Sequence, residues 1–314
     1  MTADFDVIVI GGGVAGLAGA LVLSRARRSV LVIDAGSPRN LPADHTHGYL
    51  TRDGSTPLEM TAIGAEEVRA YGNEVVAGEV VSINEVDGGY NVSTTGDSWT
   101  ARRLLVATGL VDVLPDLPGI TELWGRDVVH CPYCFGWEVR NKPIGVLGTS
   151  EHAVMQALMW RQWSDDIVLF QHTSPPPTAE QRERLDARGI RVVEGTVTGI
   201  ETTAGRLSGV RADELVARTV LVVAPRYESR HALLTPLGVE VVEHPRGIGH
   251  QVAADPMGLT SARGVWVAGN SVEVALGILQ SAASGATAGA AINADLTEAD
   301  TVGAVAEAKG NAAS

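Results

Sequence analysis

The residues of this sequence best suited to redox chemistry are Cys131 and Cys134, which form a Cys-x-x-Cys motif and are its only cysteines. Cysteines at i and i+3 close a small disulfide ring when the first stands at a helix start, where the helix N-terminus lowers the pKa of the thiol. A zinc site needs a second ligand pair, and the histidines are scattered along the chain. We therefore expect thiol–disulfide exchange and no metal.

A histidine stands directly before the motif. His130 has the side chain that most readily stabilises a thiolate or moves a proton near neutral pH. A histidine that merely packs and forms hydrogen bonds where two domains join explains the residue equally well. The sequence leaves both interpretations open.

A glycine-rich turn near the start of the chain predicts a dinucleotide site. Gly11, Gly13 and Gly16 follow a short apolar run, open an Ala/Leu-rich segment and precede Asp34, which ends a second apolar run. In a βαβ unit the first glycine permits the tight turn, the second lets the pyrophosphate approach the backbone, and the third lets helix and strand pack closely. The helix N-terminus then faces the phosphates, and Asp34 is placed to accept a ribose hydroxyl. We favour FAD over NAD because a second nucleotide-type module follows.

The second module keeps the fold pattern but not the cofactor pattern. Its turn reads Gly148-Thr-Ser-Glu-His-Ala, so Ser150 replaces the glycine that a pyrophosphate needs and Glu151 adds negative charge. The next apolar run ends in Phe170-Gln-His-Thr, without an arginine for a 2′-phosphate or an acid for a ribose diol. This predicts a reduced or absent nicotinamide site.

The two halves also repeat each other downstream of these turns. Leu104–Ala107 recurs as Leu221–Ala224, and an alternating apolar and polar segment precedes each copy, as expected for an antiparallel meander. The first half holds an additional polar loop, Pro38–Pro57, in which His45 and His47 either reach a bound flavin or remain solvated. We expect the loop to cover a ligand. The predicted domains are residues 1–112 for the first part of an FAD domain, 113–243 for an NAD(P)H-type domain with the cysteines, and 244–314 for the second part of the FAD domain.

Two further helices are predicted from the sequence. One runs from about Glu151 to Trp163 in the second module, and one, rich in small residues, runs from Leu276 to Leu296. We expect the Ala-, Glu- and Gly-rich tail after Thr297 to be frayed.

The composition of the chain restricts the classes of partner and the location that we expect for it. The 314 residues carry a net charge of −13, which argues against nucleic acid or an anionic membrane surface as partner. No run approaches the length of a membrane span, and the acidic start of the chain lacks the basic region of a secretory signal. We expect a cytoplasmic protein.

These features together resemble the low-molecular-weight thioredoxin reductases over essentially the whole chain. The resemblance implies an α/β fold of two Rossmann-like domains, with the FAD domain interrupted by the NAD(P)H-type domain, and a homodimer. The matching pieces are Gly11-x-Gly13-x-x-Gly16, Asp34, Ala107-Thr108-Gly109, Cys131-Pro-Tyr-Cys134, Thr260-Ser261 and Gly264-Val-Trp-Val-Ala-Gly269.

Within that family the chain is similar to the FAD-dependent dithiol oxidases of natural-product pathways, of the gliotoxin oxidase and holomycin dithiol oxidase type. Three departures from true reductases point that way. The second nucleotide motif is degraded, Gly269-Asn270 replaces Gly-Asp, and Phe135 follows the motif where true reductases have an acid. A related branch often has histidine there, so the proton-transfer group stays open between His130 and Glu138.

The resemblance implies an oxidase of antibiotic-type biosynthesis that forms an intramolecular disulfide in a small dithiol and reduces O2 to H2O2. Cys131, Cys134 and His130 would be catalytic. The implied cofactor contacts come from Gly11, Gly13, Val14, Ala15, Gly16, Asp34, Ala35, Gly36, Arg39, Asn40, His47, Ala107, Thr108, Gly109, Gly269, Asn270 and Leu279. The alternatives are an NADPH-dependent thioredoxin or disulfide reductase, and a non-catalytic flavoprotein whose cysteines only sense oxidation.

Overall fold

A computed structural model describes residues 3–312 as an α/β chain. Its strands are β1 (Phe5–Ile10), β2 (Val30–Asp34), β3 (Glu74–Ala77), β4 (Val80–Val86), β5 (Gly89–Thr94), β6 (Ser98–Val106), β7 (Leu110–Val113), β8 (Val128–Val129), β9 (Ile144–Leu147), β10 (Ile167–Phe170), β11 (Arg191–Val193), β12 (Gly199–Thr203), β13 (Arg206–Arg211), β14 (Leu215–Val216), β15 (Val220–Val222), β16 (Arg226–Ser229), β17 (Val241–Glu243), β18 (Gly249–Val252) and β19 (Val265–Val267). Its α-helices are α1 (Val14–Arg25), α2 (Pro57–Arg69), α3 (Pro132–Phe135), α4 (Ala153–Trp160), α5 (Ala179–Ala187) and α6 (Ile278–Ala312). Over residues 3–312, none of these helices combines the length and apolar character that crossing a membrane requires.

The chain divides into two compact units. The first unit contains residues up to 41, residues 57–111 and residues from 227 onward, and the second contains residues 42–56 and 112–226. The chain thus returns to the first unit at residue 227 rather than at the predicted 244. The reason is that β18 pairs with both β16 and β17 in a four-stranded sheet completed by β7, which keeps residues 227–252 together. The middle of the polar loop belongs to the second unit, which the sequence did not predict.

A mixed sheet of order β3-β2-β1-β6-β5-β4, with β19 also on β6, forms the centre of the first unit. Strands β1, β2, β3, β6 and β19 are parallel, and β4, β5 and β6 form the predicted antiparallel meander. The side chains of Val7, Ile8, Val9 and their neighbours on β2 are fully buried, as expected for strands covered on both faces. This sheet carries the glycine-rich turn at the carboxyl end of β1.

The second unit repeats this topology, with a parallel sheet of order β11-β10-β9-β15-β8 and a meander of β12, β13 and β14. The internal repeat read from the sequence is therefore confirmed as a repeated βαβ fold. Trp160 of α4 and Phe170 of β10 are completely buried and fill the two faces of this sheet. The redox cysteines follow β8, the edge strand of this sheet.

Helix α6 runs beyond the predicted residues 276–296 and continues to Ala312. Asp300 in the extension accepts hydrogen bonds from Arg28 (2.7 Å) and Arg102 (2.5 Å). These bonds, the one from Arg28 first, hold the pKa of Asp300 below its ordinary value. The Ala- and Glu-rich composition of the tail also favours a helix. A frayed end was the wrong expectation for this segment.

A buried carboxylate fixes the strand that leads to the cysteines. Asp127, directly before β8, is only 3% exposed, and its Oδ2 accepts from Arg206 Nε at 2.9 Å and from the Leu207 amide at 3.0 Å. Burial opposes ionisation of Asp127, but the hydrogen bonds from Arg206 and Leu207 outweigh it and lower the pKa of the carboxyl. Asp127 therefore ties β8 to β13 in its charged form.

Replacing Arg206 by alanine leaves this buried carboxylate without its cation, so we expect a loss of about 3 kcal/mol in the free energy of unfolding at pH 7. Arg211, which pairs with Glu201 on the surface, is the matched control, and Arg211→Ala should cost less than about 1 kcal/mol. The folded-state pKa of Asp127 is lowered, so its stabilisation is present above the unfolded value of 3.8 and is lost as the pH falls through the folded value. Urea unfolding at pH 7 and at about pH 3 should show the Arg206→Ala deficit shrinking in acid, and a deficit independent of pH would contradict this account.

Candidate active site

The glycine-rich turn of the first unit has the geometry of a dinucleotide cradle. Gly11 has φ +104°, and a Cβ there would lie 2.5 Å from the carbonyl oxygen of Ala107. A Cβ on Gly16 would lie 1.9 Å from the carbonyl oxygen of Gly11, so this glycine lets α1 pack against the turn. A Cβ on Gly13, in contrast, would meet no protein atom within 4 Å. The position that must leave room for a pyrophosphate is thus the one facing open space.

The acid at the end of β2 is fixed at this turn. Asp34 Oδ1 accepts a hydrogen bond from the Gly12 amide at 2.9 Å. A Cβ on Gly12 would lie 2.7 Å from the Asp34 side chain, so this contact requires glycine at position 12. The bond orients the carboxylate at the carboxyl edge of the sheet, and its contact with a ribose hydroxyl stays a prediction.

The segment that follows β6 in the first unit borders the cradle. The Ala107 amide donates to the Ile10 carbonyl at 2.8 Å, which places the segment after β6 beside the turn after β1. The Thr108 hydroxyl donates to the Arg230 carbonyl (2.8 Å), and the Gly109 amide donates to the Ser271 hydroxyl (2.9 Å). Ala107, Thr108 and Gly109 are therefore brought to the same edge as Gly11, and their contact with a cofactor stays a prediction.

The turn after β19 completes this edge. Gly269 has φ +68°, and a Cβ on it would lie 2.8 Å from the Cβ of Ala15 on α1. Asn270 accepts from Arg39 Nη1 at 3.4 Å, and its amide group donates to three carbonyls of residues 273–276. Asparagine here acts as a cap for its own loop, and aspartate would lack those donors.

The remaining predicted cofactor residues of the first unit lie around these turns. Val14 and Ala15 begin α1, while Ala35, Gly36, Arg39 and Asn40 follow β2, and Leu279 stands at the start of α6 with 46% of its side chain exposed. The sequence did not identify Ser271 or Ser284, whose hydroxyl oxygens accept from the amides of Gly109 and Gly269. Their positions, one next to a glycine turn and one in a small-residue helix, were the available signal.

The cysteines form a disulfide with a Cα–Cα distance of 5.3 Å. Cys131 is the N-cap of the short helix α3 and Pro132 is its first residue, so the first cysteine does stand at a helix start. The amides of Cys134 and Phe135 both donate to the Cys131 carbonyl, at 3.2 and 3.1 Å. Both cysteines are partly exposed, so a thiol can reach the pair from solvent.

Aromatic rings surround the histidine that precedes the disulfide. The ring of His130 stacks on Trp124 with centroids 5.2 Å apart and meets the edge of Phe135 at 6.2 Å. Phe135, which stands where true reductases have an acid, thus packs against His130. This packing fits a positioned proton carrier and a purely structural histidine alike.

His47 contacts the segment that follows the cysteines. It lies in residues 42–56 of the second unit, with Nδ1 3.3 Å from Asp53 Oδ1 and Nε2 3.3 Å from Glu138 Oε1. The contact with Glu138 has the length of an ion pair, but Nε2 is not aligned for a hydrogen bond. The Gly48 amide, and then His47, lower the pKa of Asp53. Contact of His47 with a flavin stays a prediction.

The nucleotide motif of the second unit departs from that of the first at the position a pyrophosphate would approach. Helix α4 begins at Ala153, later than the predicted 151, so Ser150 and Glu151 lie in a non-helical turn. Gly148 is the counterpart of Gly11, and a Cβ on it would lie 2.6 Å from the Gln171 carbonyl oxygen, while its own carbonyl accepts from the amides of Thr173 and Ser174 at 3.0 and 3.1 Å. Ser150 stands at the place of Gly13, so a side chain replaces the glycine that leaves open space in the first unit.

His172 occupies the place where a cation would recognise a 2′-phosphate. Its Nδ1 accepts from the Val197 amide at 3.1 Å, and burial lowers the pKa of the imidazole. The ring is therefore held in its neutral form at pH 7. Across residues 3–312, no three His, Cys, Asp or Glu side chains are placed to hold a metal ion.

Several known proteins are similar to this chain in sequence or in structure. A probable thioredoxin reductase of Arthroderma benhamiae is 36% identical over 174 residues, which are 53% of this chain and 43% of that relative. Thioredoxin reductase tcpT of Claviceps purpurea is 30% identical over 302 residues, 90% of this chain and 92% of that protein. The crystal structure of HlmI superposes with a TM-score of 0.89 at 44% identity, over 99% of each chain.

The chain also matches a protein family. The match extends over residues 5–289, which include parts of both units, the glycine-rich turn and the cysteine pair. The chain therefore belongs to the pyridine nucleotide-disulphide oxidoreductase family.

Proposed function

We propose that this protein is an FAD-dependent dithiol oxidase, which closes a disulfide in a small-molecule dithiol and passes the electrons to oxygen. One observation carries the proposal. A partly exposed redox disulfide lies in a unit whose nucleotide motif has Ser150 in place of the second glycine and His172, held neutral, where a cation would meet a 2′-phosphate. Electrons then enter from thiols rather than from NADPH, and oxygen receives them as hydrogen peroxide.

The first unit fits the cofactor that this reaction needs. The open position at Gly13, the start of α1 and the oriented carboxylate of Asp34 provide the phosphate and ribose sites of a dinucleotide. Bound FAD would supply a two-electron acceptor for the reduced cysteines and a two-electron donor for oxygen. The residues that would hold it belong to the turns at Gly11, Ala107 and Gly269.

The exchange itself needs only the cysteines and the substrate. One substrate thiolate attacks Sγ of Cys131, the Sγ–Sγ bond breaks, and Cys134 leaves as a thiolate. The second substrate thiolate then attacks the substrate sulfur of this mixed disulfide and displaces Cys131. The substrate loses two electrons and two protons, and the cysteine pair gains the two electrons.

Two groups near the pair can take up those protons. His130 is adjacent to Cys131 and fixed by Trp124, whereas the Glu138 carboxylate is engaged with His47. We assign the transfer to His130. With His130→Gln we expect a loss of about 100-fold in the rate at which a dithiol reduces the enzyme, together with loss of one ionisation from the pH profile.

Glu138→Gln is the matched control for this prediction and should change the rate by less than a few-fold. The measurement is stopped-flow reduction of the flavin by dithiothreitol under anaerobic conditions from pH 5 to pH 9. An unaltered pH profile in His130→Gln would mean that His130 only packs.

The choice of electron donor separates the proposed oxidase from an NADPH-dependent reductase. Under anaerobic conditions we expect dithiothreitol to bleach the flavin absorbance and NADPH to leave it unchanged, because the second unit lacks the contacts for the nucleotide. Cys134→Ser should abolish bleaching by the dithiol. Rapid bleaching by NADPH would establish the reductase instead, and undiminished peroxide formation in Cys134→Ser would contradict both catalytic schemes.

A pair of glycine variants tests the cofactor cradle. Gly13 has an extended backbone (φ −70°, ψ 174°) and open space at Cβ, so Gly13→Ala should fold with little change in stability but bind FAD at least tenfold more weakly. Gly16→Ala places a Cβ 1.9 Å from a carbonyl oxygen and should destabilise the apoprotein by several kcal/mol. FAD titration and thermal unfolding of the apoproteins measure the two effects. Unchanged FAD affinity in Gly13→Ala would show that the cofactor binds elsewhere.

A further inference from the structure

Two large aromatic side chains next to the disulfide are exposed. Tyr133, directly before Cys134, is 75% exposed, and Trp137, shortly after it, is 67% exposed. Among the other Trp, Tyr and Phe residues between positions 3 and 312, only Tyr71 is exposed. Neighbouring large aromatic side chains that are exposed to solvent are often part of a binding surface. Their position beside the reacting sulfurs makes a substrate contact the natural explanation.

Tyr133 and Trp137 are four residues apart in the turn that carries the cysteines. The amide of Gly136 donates to the Pro132 carbonyl (2.7 Å) and that of Val139 to the Phe135 carbonyl (3.2 Å), so the helical winding continues past α3. Residues at i and i+4 of such a turn are neighbours on its surface. Tyr133 and Trp137 thus form one aromatic platform beside Cys134.

The platform is held in place from beneath. The ring of Tyr133 meets Trp163 edge to face at 5.7 Å, and Trp163 packs on the fully buried Trp160 at 6.0 Å. A Cβ on Gly136 would lie 2.6 Å from Trp163 Nε1, so glycine is needed for this close packing. The Arg140 guanidinium lies 4.1 Å from the centre of the Trp137 ring and donates to the Trp137 carbonyl. Little conformational entropy remains to be lost when a ligand stacks on rings fixed in this way.

We propose that Tyr133 and Trp137 form the substrate-selecting surface, which binds the flat, unsaturated ring of a small dithiol and holds its two thiols at the Cys131–Cys134 disulfide. This inference rests on the proposed oxidase function and adds the class of substrate to it. Flat rings stack on exposed aromatic side chains, whereas a flexible aliphatic dithiol has no such surface to offer. The electrons and protons follow the exchange described above, with oxygen as the final oxidant.

The test compares two dithiols that both close an intramolecular disulfide. Naphthalene-1,8-dithiol carries its thiols on a flat aromatic ring, and dithiothreitol is aliphatic. In the double variant Tyr133→Ala/Trp137→Ala we expect KM for the naphthalene dithiol to rise at least tenfold, because two stacking contacts are lost. KM for dithiothreitol and both kcat values should stay within about threefold. The single variant Trp137→Phe keeps an aromatic ring and should show only a small part of this rise in KM. Tyr71→Ala is the control for removing an exposed aromatic side chain elsewhere.

A binding measurement keeps this inference separable from the proposed function. 1,8-Bis(methylthio)naphthalene has no thiol and cannot exchange, so calorimetric titration reports stacking alone. If the double variant binds this compound at least tenfold more weakly, the platform is supported. This result would stand even if dithiols did not reduce the wild-type flavin and the oxidase proposal were therefore wrong. An unchanged ratio of the two KM values, in an enzyme that oxidises both dithiols, would overturn the platform and leave the oxidase intact. The platform would also be overturned, in favour of a protein substrate, if the double variant lost turnover with reduced thioredoxin but kept it with the naphthalene dithiol.

Discussion

The dinucleotide cradle depends on one steric constraint, the approach of α1 to the turn that follows β1. A Cβ on Gly16 would lie 1.9 Å from the Gly11 carbonyl oxygen, so only glycine allows the helix to begin directly at the turn. The contact between α6 and α1 is subject to the same constraint. A Cβ on Gly285 of α6 would lie 1.8 Å from the Ala15 carbonyl oxygen, so glycine is required there too. The shape of the turn is therefore set by packing inside the first unit, and the open position at Gly13 is built before any ligand arrives.

The second unit repeats this fold but keeps only the first of the three glycines, with Ser150 and Ala153 at the places of the other two. Gly148 is required as Gly11 is, since a Cβ there would lie 2.6 Å from the Gln171 carbonyl oxygen. The tight βαβ turn has thus been kept, while the glycine that leaves open space at position 13 has been replaced. Two units of common topology differ at the position that a pyrophosphate would approach, which illustrates why function must be argued from the site and not from the fold.

Local patterns predicted the parts of the structure that local constraints determine. The glycines at 11, 13 and 16 and the repeated meanders each leave a signature of residue type and spacing, and the structure has a turn before α1 and two meanders where these signatures predict them. The placement of residues 42–56 in the second unit was not predictable in this way. It depends on contacts such as Pro42 with Gly125 and His47 with Glu138, which join residues far apart in sequence and leave no periodicity. The extension of α6 through Asp300 was missed for the same reason.

The surroundings of the disulfide agree with the direction proposed for the reaction. Oxidising a dithiol releases two protons, so the protein needs a base, whereas reducing a disulfide requires an acid beside the leaving thiolate. A carboxylate with a pKa of about 4 is a poor base for a thiol of pKa about 8.5, and an imidazole with a pKa of about 6.5 is a better one. Phe135 in place of an acid removes the group suited to reduction and packs against His130, the group suited to oxidation. One substitution therefore bears on both the chemistry and the placement of the remaining proton carrier.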